Sequence, residues 1–215
     1  MKKLVSLCLA ATFLLGLFAC GHDETAAPPP EGKPIRTTRY DADGNLDFST
    51  TYEYDSKGEI LRSEQRRGVD GDPITTTFKN RYNRKGQLVR VDSDSSYGYM
   101  GFKTYEYNID GQLVGTNFTD FYGSGDWGSR TTYTYNPQGQ LIQTYSEINE
   151  PSTQMDVYEY DAEGALSRMN TNDRGTIGYY LFEYDAQGLL SRKTYYENRF
   201  ESDIAELRYY EIYKY

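Results

Sequence analysis

The sequence predicts an all-β protein, an antiparallel meander of about 14 strands built from repeated hairpins and closed, or nearly closed, into a flattened barrel. Three observations support this fold class. A turn signature recurs seven times, the segments between its copies alternate with period two, and helical periodicity is absent. We take the signature first, then the strands, and then the ends of the chain.

The signature reads Tyr, Asp or Asn, two free positions, Gly, one free position, and Leu or Ile, as in Tyr135–Leu141. Asn or Asp accepts backbone hydrogen bonds at the start of a type I turn, and Gly takes the left-handed conformation that closes a three-residue hairpin loop with a bulge. In that geometry Tyr135 pairs with Leu141 across the hairpin. The predicted turn glycines are Gly44, Gly58, Gly86, Gly111, Gly139, Gly164 and Gly188.

The spacing of the signatures sets the number of strands. From Tyr54 onward the copies lie 28, 25, 28, 25 and 24 residues apart, which fits two strands and two connections per interval. The first interval, from Tyr40 to Tyr54, is 14 residues and holds one strand, so the first turn should lie at the opposite rim from the other six. The last segment, 205–215, is interpreted as the closing strand.

The strands are predicted to have one polar face and one tyrosine-rich face. Glu residues alternate with the paired aromatics, for example Glu53 and Glu159, while Tyr and Leu share the other face. Strict alternation also puts Arg90, Arg168 and Arg192 on the Tyr–Leu face, near the turns. With 23 Tyr and few aliphatic residues, the interior should be filled by tyrosine rings. Closure of the sheet would leave no open edges.

The segments Tyr54–Ile60 and Tyr160–Leu166 resemble the YD repeats of Rhs-type proteins. The resemblance runs from about Tyr40 to Leu190. It implies hairpins that wind into a hollow shell and, as in some members of that family, carbohydrate binding. The chain is too short to enclose a toxin payload, and the usual Arg before the signature Leu is absent. It is also similar to small envelope lipoproteins of unknown function whose repeat domain is described as porin-like.

The N-terminal region predicts export and lipidation. Lys2 and Lys3 precede an apolar run that ends at Ala19, and Cys20 follows at the position where a lipoprotein signal is cleaved. We therefore expect a signal peptide over 1–19, a lipidated Cys20 with a flexible tether over 20–34, and the YD-repeat β domain over 35–215. The alternative is an ordinary signal peptide with an incidental cysteine. The predicted location is the outer membrane, lipid-anchored; the acidic His22-Asp23-Glu24 favours surface exposure, and the periplasmic orientation stays open.

Composition and motifs narrow the function. Without residues 1–19, which carry only Lys2 and Lys3 as charges, the net charge goes from −9 to about −11, and the lack of basic clusters argues against nucleic acid as a partner. The β domain lacks the His and Cys of Ser–His or Cys–His catalysis, as well as zinc-type spacings and phosphate loops. We therefore expect no enzyme, no metal and no cofactor.

Two glycine-rich connections carry exposed aromatics suited to stacking on sugar rings, beside an acid that could accept hydroxyl hydrogens. Their candidate ligand-binding residues are Trp127, Tyr122, Asp126, Tyr97 and Tyr99. The competing interpretation is that these rings fold over and plug the barrel end. The first functional hypothesis is a lipid-anchored envelope module that binds a glycan or another envelope component. The alternatives are a structural spacer or assembly subunit with a protein partner, and a barrel that spans the outer membrane.

Overall fold

The computed structural model describes residues 29–121, 127–148, 152–198 and 205–215, without the side chains of Trp127 and Ser152. These residues form 14 strands. Their bounds are β1 Arg36–Asp41, β2 Leu46–Tyr54, β3 Ile60–Arg67, β4 Ile74–Tyr82, β5 Leu88–Ser95, β6 Met100–Tyr107, β7 Leu113–Asp120, β8 Trp127–Tyr135, β9 Leu141–Ile148, β10 Ser152–Tyr160, β11 Leu166–Asp173, β12 Thr176–Tyr184, β13 Leu190–Asn198 and β14 Ala205–Lys214.

The strands form a closed antiparallel barrel, so the predicted fold class is confirmed. Each strand pairs with its neighbours in sequence, and β14 pairs with β1 to close the ring, with Thr37 opposite Tyr213. The last segment is therefore the closing strand, as its sequence predicts. No helix occurs among the described residues, and hence none that is long and apolar enough to cross a membrane.

The two ends of the barrel differ in their turns. Six signature turns, from Asp55 to Asp185, lie at one end, which we call the motif rim. The turn at Asp41 lies at the opposite end, the far rim, because β2 is the single strand between the first two signatures. The connections from β3 to β4, β5 to β6 and β7 to β8 also lie at the far rim.

The signature turns have the predicted geometry. All seven turn glycines have positive φ, between 78° and 87°. In the turn at Asn136, the side-chain oxygen accepts hydrogen bonds from the backbone N–H groups of Gln138 (3.1 Å) and Gln140 (2.9 Å). Tyr135 pairs with Leu141, and a register shift marks the bulge beside that pair. The side chain of the first turn residue thus replaces part of the sheet ladder where the chain reverses.

Substitution of Gly139 by Val tests this turn geometry. Gly139 has φ of 83°, and a Cβ there would meet nothing closer than Gln112 Nε2 at 3.7 Å. The substitution therefore costs free energy through backbone conformation and not through a steric clash. Since a β-branched residue disfavours positive φ, we expect roughly 1–3 kcal/mol of destabilisation in urea unfolding. Gly139→Asn is the control and should cost less, because Asn tolerates the left-handed region. Equal stability of the Val variant and the wild type would contradict the turn assignment.

The predicted side for three arginines is wrong, and the bulge is the reason. Strict alternation puts Arg90, Arg168 and Arg192 on the Tyr–Leu face. The register shift after each signature Leu moves them to the outer, polar face, where Arg168 pairs with Glu159 and Arg192 with Glu183. Each stacks there on an aromatic ring of the next strand: Arg90 over Phe102 at 3.9 Å, Arg168 over Tyr179 at 3.9 Å and Arg192 over Tyr210 at 4.2 Å.

The outer wall is lined by ion pairs between neighbouring strands. Arg62 Nη1 lies 2.9 Å from Glu53 Oε1, and Arg81 Nη2 lies 2.9 Å from Asp92 Oδ2. These side chains are about a third to a half exposed, so each pair adds little stability. Their significance is their location, since they put charge on the outer face near the motif rim and, through Asp92, at the middle of β5.

Hydroxyl groups of the signature tyrosines link each hairpin to the one before it. Four of them, and Tyr215 just after β14, donate to the carbonyl oxygen of the preceding signature Leu, at the bulge, over 2.8–2.9 Å. The pairs are Tyr107 to Leu88, Tyr135 to Leu113, Tyr160 to Leu141, Tyr184 to Leu166 and Tyr215 to Leu190. Tyr215 therefore extends this series of contacts to the closing strand. The sequence identifies the Tyr–Leu pair within a hairpin, but this second role between hairpins depends on the closed sheet.

The N-terminal segment lies against the motif rim before it enters β1. Pro34 O accepts the hydroxyl of Tyr54 at 2.6 Å, and the Ile35 N–H donates to Lys214 O at 2.7 Å. Pro30 lies beside the turn at Gly58. Residues 1–28 are outside the described residues, so the predicted signal peptide and Cys20 stay predictions. The described chain nevertheless enters the barrel at the motif rim.

Candidate functional sites at the far rim and in the lumen

Tyr97 and Tyr99 lie at the far rim on a tight turn that resembles the signature turns. The Gly98 N–H donates to Ser95 O (2.8 Å), the Tyr97 N–H donates to Ser95 Oγ (3.3 Å), and Gly98 has φ of 88°. Ser95 thus takes the role of the signature Asp. The turn holds the two rings stacked, with centroids 5.6 Å apart and planes 16° apart.

The stacked pair is exposed and continues into further apolar side chains. Tyr97 is 63% exposed and Tyr99 42%, while Met100 is 52% and Phe121 45% exposed. Phe121 packs beside Phe102 at 5.8 Å, and its N–H donates to Met100 O. We call Tyr97, Tyr99, Met100, Phe102 and Phe121 the far-rim aromatic patch. Exposed apolar groups in such a cluster are typical of a binding surface.

The other sequence-predicted candidates are only partly described. Tyr122 and Asp126 lie outside the described residues. Trp127 begins β8 and its backbone pairs with Asp120, which brings it to the far rim next to the patch. The structure therefore brings Tyr97, Tyr99 and the backbone of Trp127 to one end of the barrel. The exposed rings of Tyr97 and Tyr99 do not plug that end.

A carboxylate that the sequence analysis did not single out lies at the same rim. Asp120 ends β7 opposite Gly101 and Trp127. Its Oδ1 atom is buried, and no hydrogen-bond partner for it is found among the described residues. A buried carboxylate oxygen without a hydrogen-bond partner carries a desolvation cost. No sequence pattern marks this residue, because its position depends on where the strand ends.

Inside the barrel, tyrosine rings form tiers near the motif rim. The first tier is the signature tyrosines of the motif-rim turns, and the second lies two residues earlier, with Tyr105, Tyr133 and Tyr158. Tyr54 is the most enclosed ring, at 3% exposure, and the others are mostly half-buried. Asn80 replaces a ring in the second tier and instead donates to Asp55 Oδ2 at 3.0 Å and Ile60 O at 3.1 Å.

Burial raises the pKa of these tyrosine hydroxyls above the ordinary value of 10.0. Desolvation, followed by the charges of Tyr52 and Tyr215, raises the pKa of Tyr54 to about 12. Desolvation and then Glu59 raise the pKa of Tyr105 to about 12 as well. Because these pKa values lie further above pH 7 than that of an ordinary tyrosine, the hydroxyls stay protonated and act as hydrogen-bond donors at physiological pH. They are therefore unsuited to acid–base catalysis.

The structure also contains a cavity of about 430 Å³ beside the closing seam, which the sequence analysis did not foresee. Its walls come from β1, β2, β3 and β14, and its motif-rim end from the N-terminal segment and the turn at Gly58. Threonine, glutamine and tyrosine side chains line it together with one arginine, one lysine and two glutamates. Within the part of the chain that the structure covers, no group of His, Cys, Asp and Glu is arranged to hold a metal ion.

Neither protein-family models nor curated protein sequences give a match to this chain. Among solved structures, it is similar to a porin-like protein from Bacteroides uniformis, with 12% identity and a TM-score of 0.51 over 86% of this chain and 97% of that one. It is also similar to part of the Photorhabdus luminescens Tc holotoxin pore, with 13% identity and a TM-score of 0.32 over 80% of this chain. The TcdB2–TccC3 complex matches over 83% of this chain, with 12% identity and a TM-score of 0.23. The chain spans 12% and 13% of those two toxin chains, and the similarity to the porin-like protein concerns the fold.

Proposed function

We propose that this protein is a non-enzymatic, lipid-anchored β-barrel module of the cell envelope that presents its far-rim aromatic patch to a carbohydrate. The observation that carries the proposal is the exposed, stacked pair of Tyr97 and Tyr99 at the end of the barrel opposite the chain's N-terminal entry. Flat, exposed rings match the apolar faces of sugar rings, and a rigid turn holds them with little entropy left to lose on binding.

The path of the chain favours this orientation. Residues 29–34 lie at the motif rim, so a tether that begins at a lipidated Cys20 would approach the barrel from that side. The far-rim aromatic patch would then point away from the membrane that holds the lipid, toward polymers of the envelope or beyond it.

The outer wall favours a barrel surrounded by water over the spanning alternative. A barrel that crosses a membrane needs a continuous apolar band on its outer face. Here the Arg62–Glu53 pair and the outward Arg168 put charge on the outer face near the motif rim, and the Arg81–Asp92 pair extends that charge to the middle of β5. The cost of an Arg in lipid rises from about 0–1 kcal/mol near the interface to about 2–4 kcal/mol at the midplane, so charge that reaches the middle of the wall disfavours a lipid surrounding.

The test is retention of the full-length protein on a panel of immobilised envelope and plant glycans. We expect at least one glycan to retain the wild type. The Tyr97→Ala/Tyr99→Ala variant should bind that glycan at least about tenfold more weakly, since loss of the stacked rings removes the main contact area. Tyr145→Ala is the matched control, because Tyr145 is 38% exposed but lies on the outer wall, away from the patch. Absence of retention on every glycan, or equal binding by the double variant, would refute the proposal.

A second candidate function, that of a structural or assembly subunit, is favoured by a separate observation. On the outer wall, Tyr145 pairs with Met155, Met155 with Asn172, and Asn172 with Ile177, which makes a row across β9 to β12. Tyr145, Met155 and Ile177 are 38–54% exposed. Such a row suits contact with a protein surface. This alternative predicts a crosslinked protein partner and no functional loss on Trp127→Ala.

A further inference from the structure

The cavity at the closing seam lies where the two ends of the chain meet. Thr37 is opposite Thr50 on one side and Tyr213 on the other. Two residues further along β1, on the same inward face, Arg39 lies between Phe48 and Glu211. These two rows form the wall of the cavity, which we call the seam cavity. Its volume of about 430 Å³ falls within the roughly 300–1,000 Å³ range of small-molecule sites.

The charges of the seam cavity are nearly balanced. Arg39 is held by Asp47, with Nη2 at 2.7 Å and Nε at 2.9 Å from the Oδ2 atom. Its guanidinium also lies over the ring of Phe48 at 4.5 Å. The carboxylate of Glu211 accepts the hydroxyl of Tyr213 at 2.8 Å. The lining has two cations, Lys33 and Arg39, and two anions, Glu59 and Glu211. Because Arg39 is also neutralised by Asp47, the cavity has no excess positive charge to attract a phosphate or sulfate.

The rest of the lining combines hydroxyl and amide groups with aromatic walls. Thr37 Oγ1 and Tyr52 Oη lie 3.0 Å apart and share one hydrogen bond, which leaves each with capacity for another. Thr50 and Gln65 line the same space, and Phe48 and Tyr52 supply ring surface. A few polar groups placed against aromatic walls are the usual composition of a site for a small polar ligand.

We propose that the seam cavity binds a neutral hydroxylated molecule of one or two sugar rings. Glu211 would accept hydroxyl hydrogens, Gln65 and the Thr37–Tyr52 pair would exchange hydrogen bonds with further hydroxyls, and Phe48 would cover a ring face. This site is separate from the far-rim aromatic patch, so the barrel would hold a small saccharide inside whether or not it binds a polymer at its rim.

Titration calorimetry on the full-length protein tests the proposal with cellobiose, maltose and N,N′-diacetylchitobiose as neutral probes and glucose 6-phosphate as the anionic probe. We expect at least one neutral disaccharide to bind, and glucose 6-phosphate to bind more weakly. Glu211→Gln should weaken that binding about tenfold, because a charge-assisted hydrogen bond is lost. Thr50→Phe should abolish it by filling the cavity, with thermal unfolding used to verify that each variant is folded.

Two controls separate this site from others. Glu53→Gln removes a carboxylate from the outer wall and should leave the affinity unchanged. Tyr97→Ala/Tyr99→Ala should likewise have no effect on the disaccharide, even where it abolishes retention on a polymer. The proposal is overturned if no neutral disaccharide binds at tens of millimolar, if glucose 6-phosphate binds best, or if only the far-rim variant loses binding. If Glu211→Gln does not fold, Gln65→Ala takes its place, with severalfold weaker binding expected and unchanged binding counting against the site.

Discussion

Replacing Asp55 with Ala is expected to lower the free energy of unfolding by roughly 3–4 kcal/mol, measured by urea denaturation. Asp55 is only 7% exposed, and its carboxylate accepts hydrogen bonds from the Lys57 and Glu59 N–H groups, both at 2.9 Å. It also accepts from Asn80 Nδ2 at 3.0 Å and from the Tyr82 hydroxyl. Alanine would remove the acceptor of all four donors, two of which belong to inward-facing side chains of β4.

Asp161→Ala is the matched control for Asp55→Ala. Asp161 occupies the same position of another signature turn, and it accepts the Glu163 and Ala165 N–H groups at 3.1 and 2.8 Å. It is exposed, so water can replace the lost acceptor, and we expect a cost of about 1 kcal/mol. If the two variants lose the same stability, the bonds from Asn80 and Tyr82 contribute nothing, and the buried network has no special role.

The same carboxylate should make the protein sensitive to acid. Burial alone would raise the pKa of Asp55, but hydrogen bonds from Tyr82, Glu59, Asn80 and Lys57 outweigh it, and the pKa is lowered from 3.8. The contribution of a group with a lowered folded-state pKa is present above the unfolded-state value of about 4 and is lost as the pH falls through the folded-state value. We therefore expect stability to decline below about pH 4, and less steeply in Asp55→Asn. An identical acid profile of Asp55→Asn would show that other groups cause the decline.

Replacing Gly178 with Ala is expected to destabilise the barrel by about 2–3 kcal/mol, seen as a lower melting temperature. Gly178 lies in β12 opposite Thr171 and Glu197. A Cβ atom there would lie 2.6 Å from Tyr196 O and 2.7 Å from both Cε2 and Oη of Tyr195. The backbone cannot yield easily, and the ring of Tyr195 is packed against Tyr180 (4.7 Å) and Tyr209 (5.2 Å).

Gly115→Ala shows whether close approach, and not the mere loss of glycine, is responsible. Gly115 is also a strand glycine, and a Cβ there would meet Glu106 Oε2 at 2.9 Å. That atom ends a flexible, exposed side chain that can move aside. We expect no change, or a gain of about 0.5–1 kcal/mol from the reduced freedom of the unfolded chain. Comparable losses in both variants would contradict the packing argument.

Much of the fold could be predicted because its determinants are local. The side chain at Asn136 and the positive φ of Gly139 lie within one turn, so their residue types alone predict the hairpin and the Tyr135–Leu141 pair. The short interval between Tyr40 and Tyr54 likewise predicts a single strand and the switch of rims. The outward position of Arg168 was missed, because one extra residue at a bulge exchanges the two faces of the strand beyond it.

By itself, the sequence determined the turns, the number and order of strands, and the rim on which Tyr97 and Tyr99 lie, since each depends on residues close together in the chain. Only the tertiary structure decided which carbonyl each signature tyrosine reaches, how Asn80 and Tyr82 meet Asp55, and what lines the seam cavity. These contacts join residues of different hairpins, and the seam brings Thr37 opposite Tyr213. The physical reason is closure: the curvature and register of all 14 strands together fix which side chains meet inside the barrel.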